Sequence, residues 1–132
     1  QRPNTEIFLF GAGEIESEVL RQWASLYPHT ISLAGQLPLG AELELMRELD
    51  VMLCMDSANQ HLASLVKLRV VSVWTATHPA LGFYGWNQAA EDCIQCNLRC
   101  RPCTQHGTNH CKLFNYACKN INIEDICQRL FH

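Results

Sequence analysis

Three features of the sequence predict an α/β fold built on parallel strands. Continuous apolar runs at Ile7-Phe8-Leu9-Phe10, Val51-Met52-Leu53-Cys54-Met55 and Val70-Val71-Ser72-Val73-Trp74 read as short strands enclosed on both faces. Helical apolar periodicity fills the intervals between them, and glycines or capping residues stand at the strand-to-helix junctions. Strands alternating with helices over such distances give βαβ units with right-handed crossovers, hence a Rossmann-like parallel sheet with helices on both faces.

The elements follow in order. The first strand ends in Gly11-Ala12-Gly13, and over residues 14–27 the apolar Ile15, Val19, Leu20, Trp23 and Leu26 recur at helical spacing before Pro28 stops the helix. Residues 30–34 form a second strand. Leu43, Leu45, Met46 and Leu49, set among Glu42, Glu44 and Glu48, make a helical stripe over residues 41–49. The third strand, residues 51–55, runs into Asp56-Ser57-Ala58-Asn59, a group rich in capping residues that opens the helix of His61 to Lys67. After the fourth strand, residues 75–87 form a loop with Pro79, Gly82 and Gly85. A fifth strand is expected near Ile94. Ile123, Ile126, Leu130 and Phe131 make a closing helix, with Asn122 at its start and Glu124 and Asp125 against its dipole.

Size and composition narrow the class. The 132 residues, 48% apolar and 17% charged, suit one globular domain able to bury a core without staples. A formal charge of −3 with dispersed Lys and Arg gives no footprint for nucleic acid. No apolar run is long enough to span a bilayer, and the opening Gln1-Arg2-Pro3-Asn4 does not read as a signal peptide, so a soluble domain excised from a longer chain is expected.

In such a sheet ligands sit beyond the carboxyl ends of the strands, where helix N-termini aim N–H groups at anions. Two segments are suited to that task. In Gly11-Ala12-Gly13-Glu14 the glycines let a ligand approach the backbone and Glu14 is placed to accept from ribose hydroxyls; the competing reading is an ordinary strand-to-helix turn. In Asp56-Ser57-Ala58-Asn59-Gln60-His61, Ser57 and the N–H groups after it suit a phosphate, with Asp56 and His61 beside it; the competing reading is an N-cap followed by a surface histidine.

The order of strand, Asp-Ser-x-x-x-His-Leu-Ala, helix, Val-Val-Ser-Val-Trp strand and Thr77-His78-Pro79 resembles glycosyltransferase family 9, which includes the lipopolysaccharide heptosyltransferases. The resemblance extends upstream to Gly11 and downstream through Tyr84-Gly85 to Cys100-Arg101-Pro102-Cys103. It implies the C-terminal, donor-binding half of a GT-B fold. The donor is then an ADP-heptose-like nucleotide sugar, and a lipopolysaccharide or related glycan acceptor comes through an N-terminal domain. Transfer inverts the anomeric centre, with no cofactor required for catalysis and the general base outside this chain, which by itself should bind rather than catalyse. A bacterial, cytoplasmic enzyme, peripheral at the inner face of the inner membrane, is implied. Residue by residue, Glu14 meets the ribose, Ser57, Ala58 and Asn59 the diphosphate, and Asp56 the sugar hydroxyls, while His61 and Thr77 line the pocket. Two positions depart from the family pattern: Ala58 and Thr75 each replace a glycine. A methyl group at 58 obstructs a phosphate if the backbone there takes positive φ.

Eight cysteines are numerous for a cytosolic protein, and six of them fall within residues 93–118. Cys54 and Cys127 lie on apolar faces, as small buried hydrophobes do. Cys100, Cys103, Cys111 and Cys118 have the look of a structural zinc site; disulfides and free thiols are the other two readings. The alternative to an enzyme's donor domain is accordingly a non-catalytic, zinc-stabilised Rossmann-like binding module.

Overall fold

The structure, a computed structural model, describes residues 5–108 and 110–131; the opening Gln1, Arg2, Pro3 and Asn4 lie outside the described residues. The chain is α/β, with parallel strands flanked by helices in Rossmann-like fashion, and it divides into two compact units, residues 1–44 and 45–132.

In the first unit β1 (Ile7–Leu9) pairs in parallel with β2 (Thr30–Ser32), Phe8 standing opposite Ile31, and α1 (Glu14–Leu26) makes the crossover. The turn into α1 has a mechanical explanation. Gly13 caps the helix at φ 82°, a conformation that side chains with a Cβ resist, and the Glu16 carboxylate reaches back 2.9 Å to accept from the Ala12 N–H. At Gly11 a Cβ would stand 2.7 Å from Leu20 Cδ1, so the helix packs where only hydrogen fits.

Of the apolar stripe of α1 only Leu20 is buried. Ser17 and Leu20 are buried, whereas Ile15 is 85% and Trp23 51% exposed, contrary to the amphipathic reading. The crossover presents residues 17 and 20 to the sheet, and a two-stranded sheet has too little surface to cover the flanking positions. The helix α2 (Leu39–Arg47) follows, with Met46 fully buried.

The second unit orders its strands β3 (Met52–Met55), β4 (Val70–Trp74), β5 (Cys93–Gln95), all parallel, with Met55 opposite Val73 and Trp74 opposite Gln95. β4 is buried throughout, as its apolar run predicts. β3, expected to be enclosed on both faces, is covered on one only: Met52 is buried, while Leu53 and Met55 are nearly half exposed. It is the edge of its sheet, and the helix α3 (Ala58–Leu65) packs against β3 and β4. The helix α4 (Ile123–Phe131) contacts β4.

Two polar devices tie β4 to its surroundings. The Gln88 carboxamide imitates a neighbouring strand, its Oε1 accepting from the Val70 N–H at 2.8 Å and its Nε2 donating to the Leu68 carbonyl at 3.0 Å. Just before β4, Arg69 gives both its arms to buried Asp92, Nε to Oδ2 at 2.9 Å and Nη2 to Oδ1 at 2.8 Å, and also donates to the Arg129 carbonyl in α4.

Candidate functional site

The register of the second unit brings the ends of three neighbouring strands to one edge. Asp56 follows β3, Thr75 follows β4 and Cys96 follows β5, so the segments most suited to ligands by sequence emerge side by side.

Ser57 sits at the N-cap of α3 with extended dihedrals, yet its hydroxyl makes no capping bond; its presence near Cys54 acts to lower that thiol's pKa against burial. The third N–H of α3, that of Gln60, donates to the Ser57 carbonyl at 3.3 Å, while no side chain caps those of Ala58 and Asn59, the two suited to an external acceptor. Ala58 is the first residue of that helix and does not belong to the positive-φ residues, so the methyl group that replaces the family's glycine creates no backbone strain. Thr75 is likewise free of a left-handed conformation.

Helical spacing sorts the remaining side chains. Ser57, Ala58 and His61 lie exposed, whereas Gln60, Ala63 and Ser64 face inward. Gln60 is fully buried and was not singled out in the sequence. Its Nε2 donates to Asp56 Oδ1 at 3.2 Å and to the Phe83 carbonyl at 3.1 Å, so it holds the carboxylate in place and ties α3 to the loop after β4. Among the described residues its Oε1 has no partner. Ser64 Oγ donates to the Gln60 carbonyl at 2.6 Å, and Gly85 lies so close that a Cβ there would stand 2.2 Å from that hydroxyl oxygen. Polar residues within an apolar helix pattern were the signal for this cluster. It became interpretable only once residues 56, 60 and 83 were seen together.

Thr77 is buried, and the next residue, His78, caps a short 3-10 turn (Pro79–Leu81), its Nδ1 accepting from the Ala80 N–H at 3.0 Å. Behind these residues lies Arg101, buried to 8% exposure and bonded to the carbonyls of Trp74, Thr75, Thr77 and Cys96. Burial lowers its pKa, and the sulfurs of Cys118, Cys96, Cys103 and Cys100 oppose that shift when ionised.

Glu14 belongs to the first unit, exposed at the start of α1. The glycines beside it are required by the fold itself, one for positive φ and one for packing, so the turn reading accounts for both.

No disulfide joins any of the eight cysteines. Among the described residues no three His, Cys, Asp or Glu side chains gather so as to hold a metal ion. Cys54 is half-buried, and burial, followed by the nearby negative charge of Asp56, pushes its thiol up to about 11. Cys127 is exposed, which corrects its reading as a buried hydrophobe: α4 turns position 127 outward and Ile126 and Leu130 inward. Backbone N–H groups, that of Tyr116 foremost, hold the Cys111 thiol below its ordinary range.

The family model described as glycosyltransferase family 9 (heptosyltransferase) matches residues 1–113, most of the chain. The chain belongs to glycosyltransferase family 9. Membership indicates glycosyltransferase function, with a nucleotide-sugar donor and a glycan acceptor as the general classes of ligand. No curated protein and no solved structure matches it. The match to the glycosyltransferase model covers both units as far as Leu113, including Asp56, Thr77 and Arg101. No helix among the described residues is long and apolar enough to cross a membrane.

Proposed function

We propose that this chain is the donor-binding domain of an inverting glycosyltransferase that takes an ADP-heptose-like sugar nucleotide and transfers the sugar to a lipopolysaccharide or related glycan. The observation that carries the reading is the uncapped N-terminus of α3 beside a braced carboxylate, at the edge where β3, β4 and β5 end together. The N–H groups of Ala58 and Asn59 and the Ser57 hydroxyl suit the diphosphate; Asp56 suits sugar hydroxyls, with His61 and Thr77 at the margin. The ribose role of Glu14, in the first unit, rests on the family resemblance alone.

In the reaction so proposed, an acceptor hydroxyl attacks the anomeric carbon as the bond to the diphosphate breaks. Negative charge grows on the leaving group, and N–H donors fixed at the helix end stabilise it without reorganisation. The base that takes the acceptor's proton is assigned to an N-terminal domain, and no metal is assigned to transfer. The site of action is proposed to be the cytoplasmic face of the inner membrane, where such acceptors are assembled.

Calorimetric titration with ADP, UDP, GDP and ADP-heptose tests the reading. ADP and its heptose conjugate are expected to bind in preference. Asp56→Asn, which retains an acceptor for Gln60 but loses the charge, is expected to weaken ADP-heptose by about 10- to 100-fold while ADP is little affected, as the loss of a hydrogen bond to a charged group predicts. Equal affinity of variant and parent for the sugar nucleotide refutes the role of Asp56.

A further inference from the structure

Arg101 uses its whole hydrogen-bonding capacity on one loop and its neighbour. A guanidinium has five N–H donors in a fixed plane. Here Nε donates to the Thr75 carbonyl, Nη1 to Gln95 Oε1 at 3.0 Å and the Cys96 carbonyl at 2.6 Å, and Nη2 to the carbonyls of Trp74 at 3.2 Å and Thr77 at 2.7 Å. The remaining carbonyl of the stretch, Ala76, accepts from the Cys103 N–H at 2.7 Å. Four consecutive carbonyls, residues 74–77, are thus held by Arg101 and Cys103, and all five acceptors of the guanidinium are neutral.

Gly107, at φ +78°, also lies against the same loop, where a Cβ would stand 3.3 Å from Thr77 Cγ2. A chain leaving the end of a parallel strand has carbonyls with no ladder partner, and buried ones must be satisfied. Lysine cannot replace this arrangement, because an ammonium has three donors and no planar fork.

We propose that Arg101 is a positioning residue for donor binding: by seizing the carbonyls of residues 74–77 it fixes the path of the loop that carries Thr77 at the ligand-binding edge. The Cys-rich segment is thereby the rear wall of the sugar-nucleotide site rather than an appended module. This rests on the donor-site reading given above.

The test uses the 132-residue chain and three measurements: hydrogen–deuterium exchange of a peptide covering residues 74–78, urea unfolding, and calorimetry with ADP-heptose. Arg101→Lys is expected to speed exchange in that peptide at least about tenfold relative to peptides from β3 and α3, and to weaken ADP-heptose at least about tenfold in protein that remains folded. Unchanged exchange overturns the proposal. Faster exchange with undiminished affinity also overturns it, since a merely structural clamp would give that result. If Arg101→Lys does not fold, Gln95→Leu, which removes the one side-chain acceptor that orients the guanidinium, decides by the same two readings. A parent chain that binds none of the nucleotides defeats the donor-site reading itself, and exchange in Arg101→Lys still shows separately whether the clamp exists.

Discussion

Replacing Gln60 by glutamate turns the brace of Asp56 into a repulsion of calculable size. Gln60 is fully buried, with Nε2 3.2 Å from Asp56 Oδ1. Two ionised carboxylates at that separation repel by about 5 kcal/mol at an effective dielectric of about 20, so the protein escapes by keeping a proton on the pair. Holding a carboxyl of ordinary pKa near 4.3 protonated at pH 7 costs about 1.36 kcal/mol for each unit, roughly 4 kcal/mol in all. The new carboxyl, once protonated, can still donate to Asp56, but the Phe83 carbonyl loses its donor, at about 1 kcal/mol. Gln60→Glu is therefore expected to destabilise by about 3–5 kcal/mol at pH 7 and by only about 1 kcal/mol near pH 4.5. The sign follows from the raised folded pKa: protonation is nearly free below the unfolded value, and stability is lost as pH rises above it. Gln60→Leu is the control. It loses both donations but also removes the partnerless Oε1, so its net effect is expected within about 1 kcal/mol of zero. Urea unfolding of parent and both variants at the two pH values is the assay. A Gln60→Glu penalty below about 1 kcal/mol at pH 7, or one that does not shrink in acid, refutes the contact between residues 56 and 60.

Asp92→Asn breaks the two-armed bond from Arg69, whose side chain at 37% exposed can partly turn to water; a loss of about 2–3 kcal/mol, or a fall of roughly 10 °C in melting temperature, is expected, and a shift under about 2 °C contradicts it. Gly85→Ala places a Cβ 2.2 Å from Ser64 Oγ and should cost about 1–3 kcal/mol, part of which Ser64→Ala restores if that hydroxyl is the obstacle; the absence of any rescue in the double variant points elsewhere. With its thiol pushed up to about 11 from an ordinary 9.0, Cys54 should react with iodoacetamide at pH 8 about 100-fold more slowly in folded than in urea-unfolded protein, and equal rates refute the shift. The same raised pKa makes its contribution to stability full below pH 9 and progressively lost as the solution is taken toward 11.

Much of the fold was legible because it depends on local periodicity. The fourth strand falls on the predicted residues 70–74, and the helices over residues 14–26, 58–65 and 123–131 lie within a few residues of their predicted bounds. Ser57 was readable as the N-cap position of α3 from its place between strand and helix, although its hydroxyl makes no capping bond there. What periodicity does not carry is how much surface exists to cover an apolar position. Ile15, Trp23 and Leu53 therefore lie exposed on elements correctly located, and Cys127 faces outward on the predicted helix.

By itself, then, the sequence determined the order of strands and helices, the position of the Asp56-Ser57-Ala58 junction, and a family resemblance carried by several motifs in order. The tertiary structure decided which distant residues complete that junction. Gln60, braced on Asp56, reaches across 23 positions to the Phe83 carbonyl, and Arg101 reaches back 24 to 27 positions to the carbonyls at the end of β4. Those partners are backbone oxygens, identical at every residue and therefore silent in a sequence. Only the parallel register, which sets Trp74 beside Gln95, brings them within reach of one guanidinium.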